Sequence, residues 1–270
     1  MHIPTNAQKM SSLDTYQIRL ALQGASGTGK TYSALTFPNP IVIDIDNNLT
    51  AHTHRTDVHR LPFKDTDWLK TWFKPSFAKI EYPIRDAVLE WITGEGRKLE
   101  KDQTLILDSW TTLQDNFDLQ QDLEKVYTKT MEVDAYDFWD KKIEYSRKVV
   151  DTLGTLKCHV VVTFHEQDVR DAAGQLIGKV EPLMQGKFQK KLGLYFTDWF
   201  RCIADNKVDP KDIKKILGTT WWWQTASTKE VNLKSRLAFP LLIEPNFTSL
   251  AGYFKNLQQT KAVETKTQTT

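Results

Sequence analysis

The stretch GASGTGKT, Gly24 to Thr31, constrains this chain more than any other part of it. It matches the G-x-x-x-x-G-K-[ST] pattern in full, a loop whose backbone N–H groups turn inward onto phosphate oxygens. With average glycine usage near 7%, its fixed positions arise by chance in roughly one chain of this length in a hundred. The setting agrees, because an apolar run, LALQ, precedes the loop and a helical pattern follows it. The expected nucleotide-binding residues are Gly24, Ala25, Ser26, Gly27, Thr28, Gly29, Lys30, Thr31 and Tyr32. Lys30 is placed to reach the β- and γ-phosphates, and the Thr31 hydroxyl to ligate magnesium. A helix starting at Lys30 directs its positive amino end at the same anions.

Such a loop needs a parallel sheet behind it, and the apolar pattern supplies one. Tyr16–Gln23, Pro40–Ile45, Thr104–Leu107 and Cys158–Thr163 are nearly continuous apolar runs, as in strands buried on both faces. Helical patterns lie between them: Ile84–Ile92, a run marked by Leu113, Phe117, Leu123 and Val126, and another marked by Trp139, Ile143, Val150 and Leu153. Beyond Asp198 the pattern changes. Trp199–Ala204 and Thr220–Thr225 follow each other across an Asp209-Pro210 turn signal, with little helix before Phe247–Leu257, which predicts antiparallel strands added at the sheet edge. Residues 1–13 and 258–270 are polar and aperiodic, so the expected organisation is one domain, 14–257, between two tails.

The chain has 270 residues, 40% hydrophobic and 26% charged, enough for a core without disulfide or metal staples. Cys158 and Cys202 each sit in an apolar run and are expected to be reduced core thiols, which points to the cytoplasm. No apolar stretch reaches the ~20 residues of a membrane span, and MHIPTNAQKMSSLDT lacks the apolar centre of a secretory signal. A net charge of +2 makes any nucleic-acid site a local patch rather than a property of the whole surface.

The remaining chemistry lies at strand ends. LILDSW ends a buried strand in Asp108, where a carboxylate faces the ligand crevice and completes a magnesium site; it also suits a helix cap. IVIDIDNN offers Asp46, with Asp44 nearer the buried strand, as a base for an attacking water, although Asp-Asn-Asn is also turn chemistry. VVVTFHE places His165 where it can sense a terminal phosphate. In NLKSRLAFP, Lys234 and Arg236 share one face of an extended segment, suited to stabilising a transferred phosphoryl group or to guarding an exposed edge.

In this order, GASGTGKT, IVIDIDNN, LILDSW, VVVTFHE and K-S-R, the chain resembles the RecA-like ATPases. It is most similar to the bacteriophage nucleotide-binding branch often called Sak-four. FTDWFRCIADN, WWWQTAS and KSRLAFPLLIEPNFTSL add to the likeness, which spans residues 14 to 257. The resemblance implies an α/β fold: a RecA-like P-loop core, its mainly parallel sheet covered by helices on both faces. It implies ATP and Mg2+ as cofactors, and hydrolysis with Lys30, Asp46 and His165 at the reaction centre. Lys234 and Arg236 would be supplied by a neighbouring copy in a ring or filament. Single-stranded DNA is the implied partner, with a single-strand-binding or annealing protein as another, in phage-type recombination, annealing or replication. RecA-like proteins hold DNA on loops that here contain Lys125 and Lys129, then Arg170, Lys179 and Lys187. The 68–92 insert has no place in the pattern, and relatives often carry glutamate at the Asp46 position. An ATP-driven assembly or packaging factor with a protein partner, and a P-loop kinase with Arg170 on a lid, stay open as alternatives.

Overall fold

The computed structural model describes residues 17–62, 83–115, 135–184 and 189–255. Among them is one mixed sheet in the order β3-β2-β4-β5-β1-β7-β8-β9, with β6 pairing to the far half of β5. Its strands are β1 (Arg19–Gly24), β2 (Pro40–Asp44), β3 (His59–Pro62), β4 (Thr104–Asp108), β5 (His159–Arg170), β6 (Leu176–Pro182), β7 (Asp198–Asp209), β8 (Asp212–Gln224) and β9 (Leu242–Ile243). The helices named below are α1 (Lys30–Ala34), α2 (Pro83–Thr93) and α3 (Ala135–Thr155). Residues 110–115 and 247–255 are also helical.

The continuous apolar runs become the sheet centre because alternate residues have a core on each side. Ala21, Ile43, Leu105, Leu107, Val160 and Val162 meet Val88 and Ile92 of α2 and Val149, Val150 and Leu153 of α3. Leu20, Leu22, Val42, Ile106 and Val161 face the other way, toward Ala34, Leu35, Phe37, Leu250 and Phe254. Each such side chain, fully buried, contributes about 1.5–3 kcal/mol. The expected core, a mainly parallel sheet with helices on both faces, is what the chain forms. Both cysteines are buried free thiols, and burial pushes the Cys202 thiol up to about 12.

Two features differ from the sequence expectation. The Asp198–Asp209 strand still runs parallel to β1, so at that edge of the sheet antiparallel pairing begins at the β7–β8 hairpin. The strand ending at His165 instead continues to Arg170, pairing with β6, because the polar half of β5 gains a partner where the buried half ends. The two tails, most of the 68–92 insert, and Lys125, Lys129 and Lys187 lie outside the described residues. No helix among the described residues is long and apolar enough to cross a membrane.

Candidate nucleotide site

Strand register builds the site. Gly24 of β1 lies beside His165 of β5, and Asp108 of β4 lies beside Asp44 of β2, so the carboxyl ends of these strands open on one cleft. The cleft holds about 330 Å³ and is lined by loop residues together with Asp46, Asp108, His165 and Trp221. Gly24 cannot be replaced: a Cβ there would meet Thr28 Oγ1 at 2.5 Å and the Cys202 carbonyl at 2.8 Å. Gly29 caps α1 in the left-handed region, φ 79°, which only glycine adopts freely.

Lys30 lies almost wholly inside the loop. Its ammonium donates to the carbonyl of Gly24 at 2.9 Å and to that of Ala25 at 2.8 Å, and burial lowers its pKa. The Thr31 hydroxyl donates to Asp108 Oδ2 at 2.8 Å, and Thr163 donates to Oδ1 of the same carboxylate. Burial pushes the Asp108 carboxyl up; the Thr163 and Thr31 bonds oppose this and the nearby Asp46 charge adds to it. A hydroxyl and a carboxylate side by side are hard oxygen donors suited to magnesium, which takes one or two carboxylates and completes its shell with water and phosphate. Among the described residues no group of three or more His, Cys, Asp or Glu forms a ready-made metal cage.

Asp46 is held from several sides. Ser109 Oγ donates to Oδ1 at 2.9 Å, and His165 Nε2 lies 3.3 Å from Oδ2. Burial works against its charge, but hydrogen bonds from His165, Thr112 and Ser109 outweigh it and keep the carboxyl below its ordinary range. Asp44 is differently engaged. It is fully buried, paired with Arg60 Nε at 2.6 Å, and accepts from the Asn48 amide. Of the two acids only Asp46 lines the cleft.

Lys234 and Arg236 stand at the opposite, amino end of the sheet. Lys234 forms a bridge with Trp199 and donates to the carbonyls of Gly193 and Phe196 at 3.0 and 2.8 Å. Arg236 Nε lies 2.9 Å from Asp198 Oδ2, whose side chain is fully buried, and its guanidinium sits 4.6 Å from the centre of the Phe254 ring. Both cations therefore serve their own chain here, a use the K-x-R spacing alone does not reveal. Arg170 is exposed on the β5–β6 hairpin and donates to the Gly174 carbonyl at 2.8 Å; Lys179 is exposed on β6.

Sequence reading missed Asn48, His52 and Trp221 in the cleft wall, and the half-buried Glu166–Arg201 pair beside the loop, at 2.9 and 3.0 Å. Trp221 had a signal in the WWWQTAS run, Asn48 in IVIDIDNN, Glu166 in VVVTFHE and Arg201 in FTDWFRCIADN; His52 had none.

Residues 16–237 match the family described as AAA domain. No curated protein sequence matches the chain. Among solved structures, the chain is similar to the RadB recombinase, with 11% identity, a TM-score of 0.35, and coverage of 81% of this chain and 91% of that one. It is also similar to the flagellar accessory protein FlaH from Methanocaldococcus jannaschii, with 12% identity, a TM-score of 0.35, and 80% of each chain covered. Likenesses this distant say nothing about activity.

Proposed function

The chain belongs to the AAA domain family and is an ATPase, and from that premise we propose that it is an oligomeric, magnesium-dependent ATPase that works on single-stranded DNA in phage-type recombination, annealing or replication. The observation that carries the hydrolytic part is the meeting of Lys30, Thr31, Asp108, Asp46 and His165 at one cleft. Lys30 exchanges the Gly24 and Ala25 carbonyls for phosphate oxygens when ATP enters, and neutralises charge as the terminal phosphoryl group departs. Asp46, kept ionised by its neighbours, orients the attacking water and takes its proton. His165, bonded to that carboxylate, fixes its orientation. Magnesium held through Thr31 and Asp108 would supply Lewis-acid stabilisation of the same oxygens.

The DNA part is supported by the Sak-four resemblance and by one structural continuity. β5 runs unbroken from His165 in the cleft to the exposed Arg170 at the hairpin, with Lys179 on the strand beside it. Phosphate release, measured with and without single-stranded DNA at low and moderate salt, is the test. Stimulation that fades with salt is expected. A DNA-insensitive rate together with no gel shift at low salt would remove the DNA part. Assembly is read from turnover per chain against dilution, which falls if the site needs a neighbour and stays constant if it does not.

A further inference from the structure

We propose that Trp221 is the stacking platform for the nucleobase of the bound triphosphate, an inference that rests on the ATPase reading and extends it. Strand order sets the direction. Asp46 and Asp108 follow β2 and β4 on one side of the phosphate loop, whereas β8 is the second strand beyond β1 on the other. A triphosphate with its terminal phosphate beside Thr31 and Asp108 points its ribose and base away from them, toward β8.

The indole is presented there by its neighbour. Trp223, two residues along and so on the same face, is fully buried and donates to Ser33 Oγ of α1 at 3.2 Å. One helical turn earlier on α1 is Gly29. A Cβ placed on it would lie 3.0 Å from Trp221 Cδ1 and 3.4 Å from Cγ and Nε1, so the five-membered ring rests against glycine backbone. Trp223 anchors β8 to the helix, and Trp221 stays 43% exposed within the cleft wall. An open indole face leaves apolar surface in water, which a purine ring would cover. Tyr32 is the rival platform, 60% exposed, but its ring pairs with His52 at 6.2 Å on the β2 side of the cleft.

The test titrates the full chain calorimetrically with Mg-ATP and with magnesium tripolyphosphate, which has the phosphates but no base. In the wild type ATP should bind more tightly. Trp221→Ala should weaken ATP about 5- to 100-fold and leave tripolyphosphate unchanged, so that the preference collapses. Trp221→Tyr should keep most of the preference, and Trp221→Leu, apolar without a π-face, should lose it; these two decide the matter if the alanine variant does not fold. Tyr32→Ala should leave the ratio as it is. An unchanged ratio in the Trp221 variants, or equal weakening of both ligands, overturns the inference alone. A wild-type chain that bound neither ligand would overturn the nucleotide reading with it.

Discussion

At the carboxyl ends of β1 and β4, charged groups are held by contacts that a ligand can take over: Lys30 rests on the loop's own carbonyls, and Asp108 is buried with hydroxyls and, among the described residues, without an ion-pair partner. At the amino end of β7, Asp198 is equally buried, but the Arg236 guanidinium lies against it and Lys234 fills two carbonyls that precede the strand. Both ends bury charge. The difference is in what completes it. One end is finished by the chain itself, and the other waits for a molecule from outside. Charge alone therefore does not mark a site; charge whose partners are replaceable does.

Substitution can break this contrast, starting with its largest consequence. Lys30→Ala should slow phosphate release about 1,000-fold while moving the unfolding temperature by less than about 2 °C. A large thermal loss would make Lys30 a structural residue like those at the other end. Arg236→Ala should do the reverse. Leaving Asp198 buried and unpaired costs about 3 kcal/mol, a fall of about 6–12 °C, with ATP affinity within about twofold of wild type because the nucleotide cleft is untouched. Full stability with collapsed turnover would instead restore Arg236 to the part the K-x-R motif suggests, a cation lent to a neighbouring copy.

Asp108→Asn sharpens the contrast further. Burial raises the Asp108 pKa, so its ionisation costs stability above its folded range, and that cost vanishes as pH drops below its unfolded range. The variant should unfold about 2–4 °C higher at neutral pH without metal, lose that gain on acidification, and hydrolyse no ATP. A less stable variant at neutral pH would mean the carboxylate is already compensated. The smallest effect belongs to His165→Ala. His165 hydrogen-bonds the Asp46 carboxylate, so its loss raises the Asp46 pKa and moves the acid limb of the pH–rate profile to higher pH. Asp46 stabilises the fold above its unfolded range and loses that contribution as pH falls through its depressed folded range, so the variant should be less stable than wild type at neutral pH, with the difference closing in acid. An acid limb that does not move would separate His165 from the reaction centre.

Local pattern carried the parts of the site that lie at the ends of buried strands. Asp46, Asp108 and His165 could be placed from sequence because a continuous apolar run fixes where the buried part of a strand stops, and parallel pairing then brings those stops together. Trp221 reaches Gly29 only through the register of β8 against β7 and of β7 against β1, which no short window contains. The Glu166–Arg201 pair likewise spans two strands on either side of β1. Asp198 reads as a polar residue opening a strand, so nothing in the sequence says that it will claim Arg236.

β5 belongs to two assemblies at once. Its first half is wedged between β1 and β4, and its second half stands out in a ribbon with β6, anchored near its root where the Leu183 amide meets the His165 carbonyl at 2.7 Å. The ribbon projects about 17 Å from His165 to Arg170. The ribbon is tied a second time beyond that root, where the Val180 amide meets the Glu230 carbonyl at 2.8 Å, so one continuous strand links the cleft at His165 to a hairpin held by the segment that leads to Lys234 and Arg236.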